Sequence, residues 1–129
     1  MMLGLKREYP GRWVEVCAVE DLIDGEAQTF KVDGYEIYVV YSDGRLKTYY
    51  GRCPHAFGEF APSDFDGRKI VCNMHQWEFD AFTGEGLNPR GTQLFELEHE
   101  VRDGVLYVKV PDMPVVEFRE KWFKMYTGL

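Results

Sequence analysis

The sequence predicts an all-β protein, a sandwich or barrel, and two observations support this prediction. Five Asp-Gly pairs are spread along the chain, and this dipeptide supplies the positive φ angles that tight hairpin turns require. Short runs rich in Val, Ile, Tyr, Phe and Thr lie between the turns, and they have the composition of half-buried strands. Turns about every 8–12 residues are typical of sandwiches and barrels.

Eight of these runs are predicted to form strands. In chain order they are Arg12–Cys17, Thr29–Val32, Tyr35–Tyr41, Leu46–Tyr50, Lys69–Cys72, Gln93–Leu97, Glu100–Arg102 and Val105–Val110. Val19–Leu22 predicts a single helical turn. Beyond Pro114, apolar residues recur at helical spacing opposite charged ones, which predicts one amphipathic helix. Its apolar stripe consists of Val115, Phe118, Trp122 and Met125.

The composition indicates one packed domain over residues 1–129. The 129 residues are 45 % hydrophobic and 16 % aromatic, which suits a single core. A net charge of −7 argues against nucleic acids and anionic membrane surfaces as partners. No apolar run approaches the roughly 20 residues of a spanning helix. Met1–Pro10 has no signal-peptide core, so we expect a cytoplasmic protein.

Residues 51–92 differ from the rest of the chain. They hold 6 of the 13 glycines and 3 of the 6 prolines, and their strand-like runs are shorter. This composition predicts a subregion built from loops, where binding sites are commonly found.

Two short Cys–His pairs lie in that subregion. Cys53 and His55 form a C-x-H pair, and Cys72 and His75 form a C-x-x-H pair after sixteen intervening residues. Zinc accepts two thiolates and two imidazoles, but zinc modules usually pair like with like. Mixed pairs suit a two-iron cluster better, because each loop can send its Cys to one iron and its His to the other. A structural zinc module remains the alternative from a different functional class.

The two pairs resemble the motif of the Rieske [2Fe–2S] proteins. The segment TGEGLNP, which ends at Pro89, is similar to the third loop of that family. The segment VEVCAVEDLIDGEAQTF, residues 14–30, is similar to the start of bacterial Rieske ferredoxins.

The resemblance covers about residues 12–110 and leaves 111–129 as an extension. It implies the Rieske fold, an antiparallel β-sandwich or barrel with a cluster-binding subregion at 51–92. It also implies one [2Fe–2S] cluster per chain. The implied ligands are Cys53, His55, Cys72 and His75.

The other candidate residues receive structural interpretations. We expect Cys17 to be a buried packing residue and His99 to lie on a solvated strand edge. Phe57, Trp77 and Pro89 are expected to shield the cluster or to shape a docking face.

The sequence indicates an electron carrier and not an enzyme. A terminal oxygenase of this family also needs a mononuclear iron with two His and one carboxylate. Of the three histidines, the cluster would use two. The chain also lacks a Rossmann fingerprint for a nicotinamide or flavin cofactor.

Residues 75–89, HQWEFDAFTGEGLNP, are most similar to the ferredoxin of toluene and alkene monooxygenase systems. That resemblance implies electron transfer from an NADH-dependent flavin and iron–sulfur reductase to a soluble diiron hydroxylase. We expect the carrier to be a monomer. The alternatives within the family are the ferredoxin of a ring-hydroxylating dioxygenase and the small Rieske subunit of a nitrite reductase.

The residues around the predicted ligands point to a low reduction potential. Rieske proteins of respiratory bc complexes join the two loops by a disulfide, whereas the matching positions here are Gly58 and Met74. Those proteins also place hydroxyls where this chain has Trp77 and Phe79. Fewer hydrogen bonds to cluster sulfur stabilise the added electron less.

We therefore predict a midpoint in the lower half of the Rieske range of about −150 to +300 mV. A redox titration followed by visible absorption measures it. A midpoint above about +150 mV contradicts the prediction.

Overall fold

The computed structural model describes residues 9–54, 57–73, 76–88 and 90–127, of which residues 123–127 are described by their backbone alone. These residues form nine strands, one α-helix and two 3₁₀ turns. The elements are β1 (Gly11–Ala18), β2 (Glu26–Val32), β3 (Tyr35–Ser42), β4 (Arg45–Tyr50), β5 (Lys69–Val71), β6 (Glu78–Asp80), β7 (Gly86–Asn88), β8 (His99–Arg102), β9 (Val105–Pro111) and α1 (Val115–Thr127), with the 3₁₀ turns at Val19–Asp21 and Pro62–Asp64.

The strands form three antiparallel sheets of three strands each within the described residues. Their strand orders are β1-β9-β8, β2-β3-β4 and β5-β6-β7. The predicted all-β class is confirmed, and the helix after Pro114 is present. The described part of the chain contains no helix with the length and apolar character of a membrane span.

Hairpin turns at Asp-Gly pairs set the strand register. At Asp33-Gly34 both residues have positive φ, 53° and 84°, and the pair joins β2 to β3. Two positive φ angles in a row match the twist of the flanking strands. The pairs Asp43-Gly44 and Asp103-Gly104 have the same signs and make the β3–β4 and β8–β9 turns.

Strand β3 is buried on both faces, so it separates two cores. Tyr35, Ile37 and Val39 belong to the main core, which they share with residues of β9 and α1. Tyr38 and Val40 point the other way and belong to the loop-side core. The loop-side core consists of Ala27, Tyr38, Val40, Tyr49, Cys53, Phe60, Phe65, Ile70, Cys72, Phe79, Ala81 and Leu94.

One predicted strand is wrong. Gln93–Leu97 makes only isolated bridges, Glu85 with Gln93 and Tyr49 with Glu96. Neighbouring residues of the segment enter different cores, Leu94 the loop-side core and Phe95 the main core. The segment therefore connects the sheets and does not run along one partner strand. Strands β6 and β7 were not predicted, because their sequences, EFD and GLN, contain one apolar residue each and do not form a strand-like run.

Helix α1 closes the main core. Phe118 and Trp122 are 3 % and 0 % exposed. The Phe118 ring lies 5.0 Å from the Tyr50 ring and 4.8 Å from the Phe95 ring, both edge to face. The predicted apolar stripe thus packs on the β body at these residues. The side chain of Met125 lies outside the described residues.

Replacing Phe118 by Ala tests this packing. Because the ring is buried among aromatic neighbours, Phe118→Ala should lower the free energy of unfolding by about 3–5 kcal/mol. Chemical denaturation measures the change. Val116→Ala on the same helix is the control, since Val116 is 66 % exposed, and should stay within about 0.5 kcal/mol of the wild type. Equal effects for the two variants would show that α1 does not pack as described.

Candidate metal centre

The first cysteine loop, residues 52–58, closes on itself through two backbone hydrogen bonds. The Cys53 N–H donates to the Gly58 carbonyl at 2.9 Å, and the Phe57 N–H donates to the Cys53 carbonyl at 2.7 Å. Phe57 has a φ of 56°, which turns the chain back on itself. These two bonds close the turn between Cys53 and Gly58, next to an isolated bridge between Arg52 and Glu59.

The second cysteine loop, residues 71–77, repeats that pattern atom for atom. The Cys72 N–H donates to the Trp77 carbonyl at 2.8 Å, and the Gln76 N–H donates to the Cys72 carbonyl at 2.8 Å. Gln76, like Phe57, has a positive φ, here 62°. Between the bonded residues the sequence carries the predicted ligands His55 and His75, which lie outside the described residues, as does Pro89.

The structure places both loop cysteines in the loop-side core. Cys53 is 0 % exposed and Cys72 is 2 % exposed. Cys17 is half-buried on β1 and packs against the main core, on the other side of β3. Burial raises the pKa of the Cys17 thiol, with a smaller contribution from Asp21. Two buried sulfurs in matching loops fit a bridged cluster that takes one thiolate from each loop.

An ion pair anchors the first cysteine loop to β3. The Arg52 guanidinium donates to both carboxylate oxygens of Glu36, at 3.0 and 2.9 Å. Its remaining terminal nitrogen donates to the Phe57 carbonyl at 2.8 Å. The Glu36 side chain is only 5 % exposed, and the Arg52 hydrogen bonds hold the pKa of its carboxyl below the usual value.

The second cysteine loop is attached by a hydrogen bond between two side chains and not by a buried ion pair. The Asn73 side-chain amide donates to the Asp64 carboxylate at 3.2 Å, and the same oxygen accepts from the Ala61 N–H at 2.9 Å. The neighbouring β5–β6 hairpin is closed by Lys69 and Glu78 at 2.8 Å. These groups are more exposed than the Glu36–Arg52 pair, so they contribute less to stability.

The segment before β7 approaches the loop-side core closely. Gly84 has a φ of 79°, and a Cβ there would lie 2.9 Å from Gln93 Nε2 and 3.1 Å from Tyr49 Cε1. Glycine is therefore required at this position. Leu87, in the middle of β7, is 41 % exposed.

The tyrosine hydroxyls of the loop-side core donate to backbone carbonyls. Tyr38 donates to Ala61 at 2.9 Å and Tyr49 donates to Ala81 at 2.8 Å. Burial raises the pKa of both phenols, so they stay protonated. Phe79 is fully buried in the same core and brings no hydroxyl.

His99 lies on an edge strand as expected, but it is only partly exposed. It is the first residue of β8, is half-buried, and has its Nδ1 atom 3.3 Å from Thr48 Oγ1. Trp77 is half-buried and packs on the loop-side core, whereas Phe57 packs toward the main core. In the part of the chain that the structure describes, no group of three or more His, Cys, Asp or Glu is arranged to hold a metal ion.

Sequence reasoning missed the anchoring residues Glu36 and Arg52. One signal was available, because Glu36 is the only charge in the apolar run of β3, YEIYVVYS. A carboxylate in a strand buried on both faces needs a cationic partner. The identity of that partner, Arg52, depends on how β4 and the first cysteine loop fold back, which no local pattern encodes.

Comparisons with known proteins agree with this geometry. The family description of the Rieske [2Fe-2S] domain matches residues 12–119 and so ends inside α1. The ferredoxin component of the alkene monooxygenase system of Xanthobacter autotrophicus is 34 % identical over 104 residues, 79 % of this chain and 84 % of the relative. The ferredoxin component of the naphthalene 1,2-dioxygenase system of Pseudomonas putida is 29 % identical over 82 residues, 64 % of this chain and 79 % of the relative.

Solved structures show the same architecture. The chain matched in the complex of oxygenase and ferredoxin of carbazole 1,9a-dioxygenase has a TM-score of 0.67 and 25 % identity, over 79 % of this chain and 96 % of that one. The ferredoxin of Sphingomonas yanoikuyae B1 has a TM-score of 0.65 at 22 % identity, over 78 % of this chain and 100 % of that one, which supports the fold alone.

Removing Arg52 tests the anchor of the first cysteine loop. Arg52→Met leaves the buried Glu36 carboxylate with only the exposed Lys31 ammonium, at 3.8 Å, and should lower the free energy of unfolding by about 3 kcal/mol. Adding Glu36→Gln should restore most of that loss. Lys121→Met, which breaks the exposed pair with Glu117, is the control and should cost less than about 0.5 kcal/mol.

The same pair predicts a pH dependence. Because the folded pKa of Glu36 is lowered, its stabilisation is present above the unfolded carboxyl value of about 4.3 and is lost as the pH falls through the folded pKa. Melting curves at decreasing pH should therefore converge for wild type and the double variant. An Arg52→Met loss no larger than the control's would refute the anchor.

Proposed function

The chain belongs to the Rieske [2Fe–2S] domain family, and from that membership we propose that it is the ferredoxin of a multicomponent alkene or aromatic monooxygenase. It carries single electrons from an NADH-dependent flavin and iron–sulfur reductase to a soluble diiron hydroxylase. The observation that carries the proposal is the 34 % identity over 79 % of the chain to an alkene monooxygenase ferredoxin component. The proposed carrier is a monomer that acts in the cytoplasm.

The proposed cluster ligands are Cys53 and Cys72 on one iron and His55 and His75 on the other. When bound, the cluster supplies the one-electron redox step. The matched hydrogen bonds of the two loops support this assignment, since they hold each cysteine in the same backbone setting. Burial of both sulfurs in the loop-side core excludes water from them.

The surface charge suits a steered carrier. The two thiolates cancel the charge of an oxidised cluster, so the holoprotein keeps the net charge of −7. A negative carrier is attracted to basic patches on its partners, and this attraction accelerates encounter at low salt.

A ferredoxin of a ring-hydroxylating dioxygenase is the second candidate. It is favoured by the relative from the naphthalene 1,2-dioxygenase system and by the structural match within the carbazole 1,9a-dioxygenase complex. The two candidates differ only in the oxygenase that receives the electron.

Single substitutions of the cysteines test the ligand assignment. Cys53→Ser and Cys72→Ser should each abolish the red-brown colour and the iron and acid-labile sulfide of the purified protein, because a thiolate ligand is lost. Cys17→Ser is the matched control and should retain two irons per chain. His55→Ala should likewise remove the cluster, and His99→Ala is its control and should retain it. A colourless wild-type protein that binds one zinc contradicts the assignment.

Electron transfer to the two kinds of oxygenase decides between the candidates. The reduced protein should be reoxidised at least about tenfold faster by an alkene monooxygenase diiron hydroxylase than by a naphthalene dioxygenase. Stopped-flow absorption measures both rates. The faster rate should fall as salt increases, because opposite charges steer the encounter. Faster transfer to the dioxygenase would establish the second candidate instead.

A further inference from the structure

Phe57 adopts a backbone conformation that a bulky side chain rarely takes. Its φ of 56° lies in the left-handed region, where a Cβ crowds the neighbouring carbonyl. Such a conformation persists only where the surroundings hold it. Phe57 is also the residue whose N–H closes the first cysteine loop onto the Cys53 carbonyl.

Helix α1 supplies the contacts that hold the Phe57 ring. The ring lies 5.7 Å from the ring of Trp122 and 5.4 Å from the guanidinium carbon of Arg119. Trp122 is fully buried, so its position is set by the main core. Phe57 is therefore held from the helix side as well as by Arg52 from the β3 side.

Arg119 also contacts the chain on the N-terminal side of Cys53. Its Nε donates to Tyr50 Oη at 2.8 Å. Tyr50 is the last residue of β4 and precedes Cys53 by three positions, and its ring lies 5.3 Å from that of Trp122. One turn of α1 thus contacts the chain on both sides of Cys53.

The second cysteine loop differs at the equivalent position. Gln76 has the same positive φ but is exposed. The contacts of Arg119 and Trp122 with Phe57 and Tyr50 involve the first cysteine loop and the strand before it. The two loops share one backbone pattern but have different external supports.

We propose that α1 is a positioning element for the cluster-binding region, in which Arg119 and Trp122 hold Phe57 and thereby keep the first cysteine loop closed around Cys53. The inference rests on the proposed function for the nature of the bound group. Arg119 and Trp122 act through Phe57 and Tyr50 and are not ligands. Opening of the first loop would expose the Cys53 sulfur, which is now fully buried, to water and to chelators.

The test compares Arg119→Gln with Lys121→Gln in the purified holoprotein. Both variants remove one positive charge from the same helix, but Lys121 is exposed and pairs with Glu117, one turn away on its own helix. Three quantities are measured: hydrogen exchange over residues 51–60 and 70–79, the rate at which a chelator bleaches the cluster, and the EPR spectrum of the reduced protein.

Arg119→Gln should speed exchange over 51–60 and chelator bleaching at least about fivefold, the loss expected for one cation–π contact and one hydrogen bond. It should also shift the EPR spectrum, which a change in global stability alone does not do. Exchange over 70–79 should stay unchanged, and Lys121→Gln should match the wild type throughout.

The inference is overturned if Arg119→Gln matches Lys121→Gln, or if exchange rises equally over both segments. A wild-type protein without iron overturns the proposed function first, and with it the role of α1 toward the cluster. An iron-containing wild type with an unaffected Arg119→Gln variant overturns the inference alone.

Discussion

Each of the two cysteine loops must bury a sulfur while its own backbone leaves regular secondary structure, and the matched hydrogen bonds resolve this conflict. The Cys53 and Phe57 N–H groups find carbonyls inside their own loop, and Cys72 and Gln76 repeat the arrangement. No sheet partner is needed, so each loop can stand at the end of a short strand. This arrangement requires a positive φ at Phe57 and Gln76.

The rest of the fold supports these two turns. Strand β3 is buried on both faces and separates the main core from the loop-side core, so the loops rest on an ordered β body. The buried Glu36–Arg52 pair ties the first loop to β3, and α1 reaches the same loop through Phe57. In the second loop, the Asn73 amide bonds Asp64 and Trp77 packs on the loop-side core. The two loops are thus attached to the body by different kinds of contact.

The sequence predicted features that depend on local chemistry. Asp33-Gly34 and Asp103-Gly104 specify hairpins because their φ preferences are intrinsic, and Phe118 and Trp122 reveal α1 by spacing. The paired spacing of Cys and His predicted a metal centre in residues 51–92, and the structure places Cys53 and Cys72 in two matching loops. Features that depend on long-range folding were not predictable. The Gln93–Leu97 run has the composition of a strand, yet its residues divide between two cores. The contacts of Arg52 with Glu36 and of Trp122 with Phe57 join segments that are separated in the sequence.

The proposed centre requires two histidines, and not cysteines alone, to complete the ligand set of the two loops. Pulsed EPR of the reduced protein, with nitrogen-15 introduced into histidine, measures how many histidine nitrogens are coupled to the cluster. Hyperfine couplings from two histidine nitrogens are expected. A reduced cluster without histidine nitrogen coupling, or a protein with no reducible iron, would contradict the proposed centre.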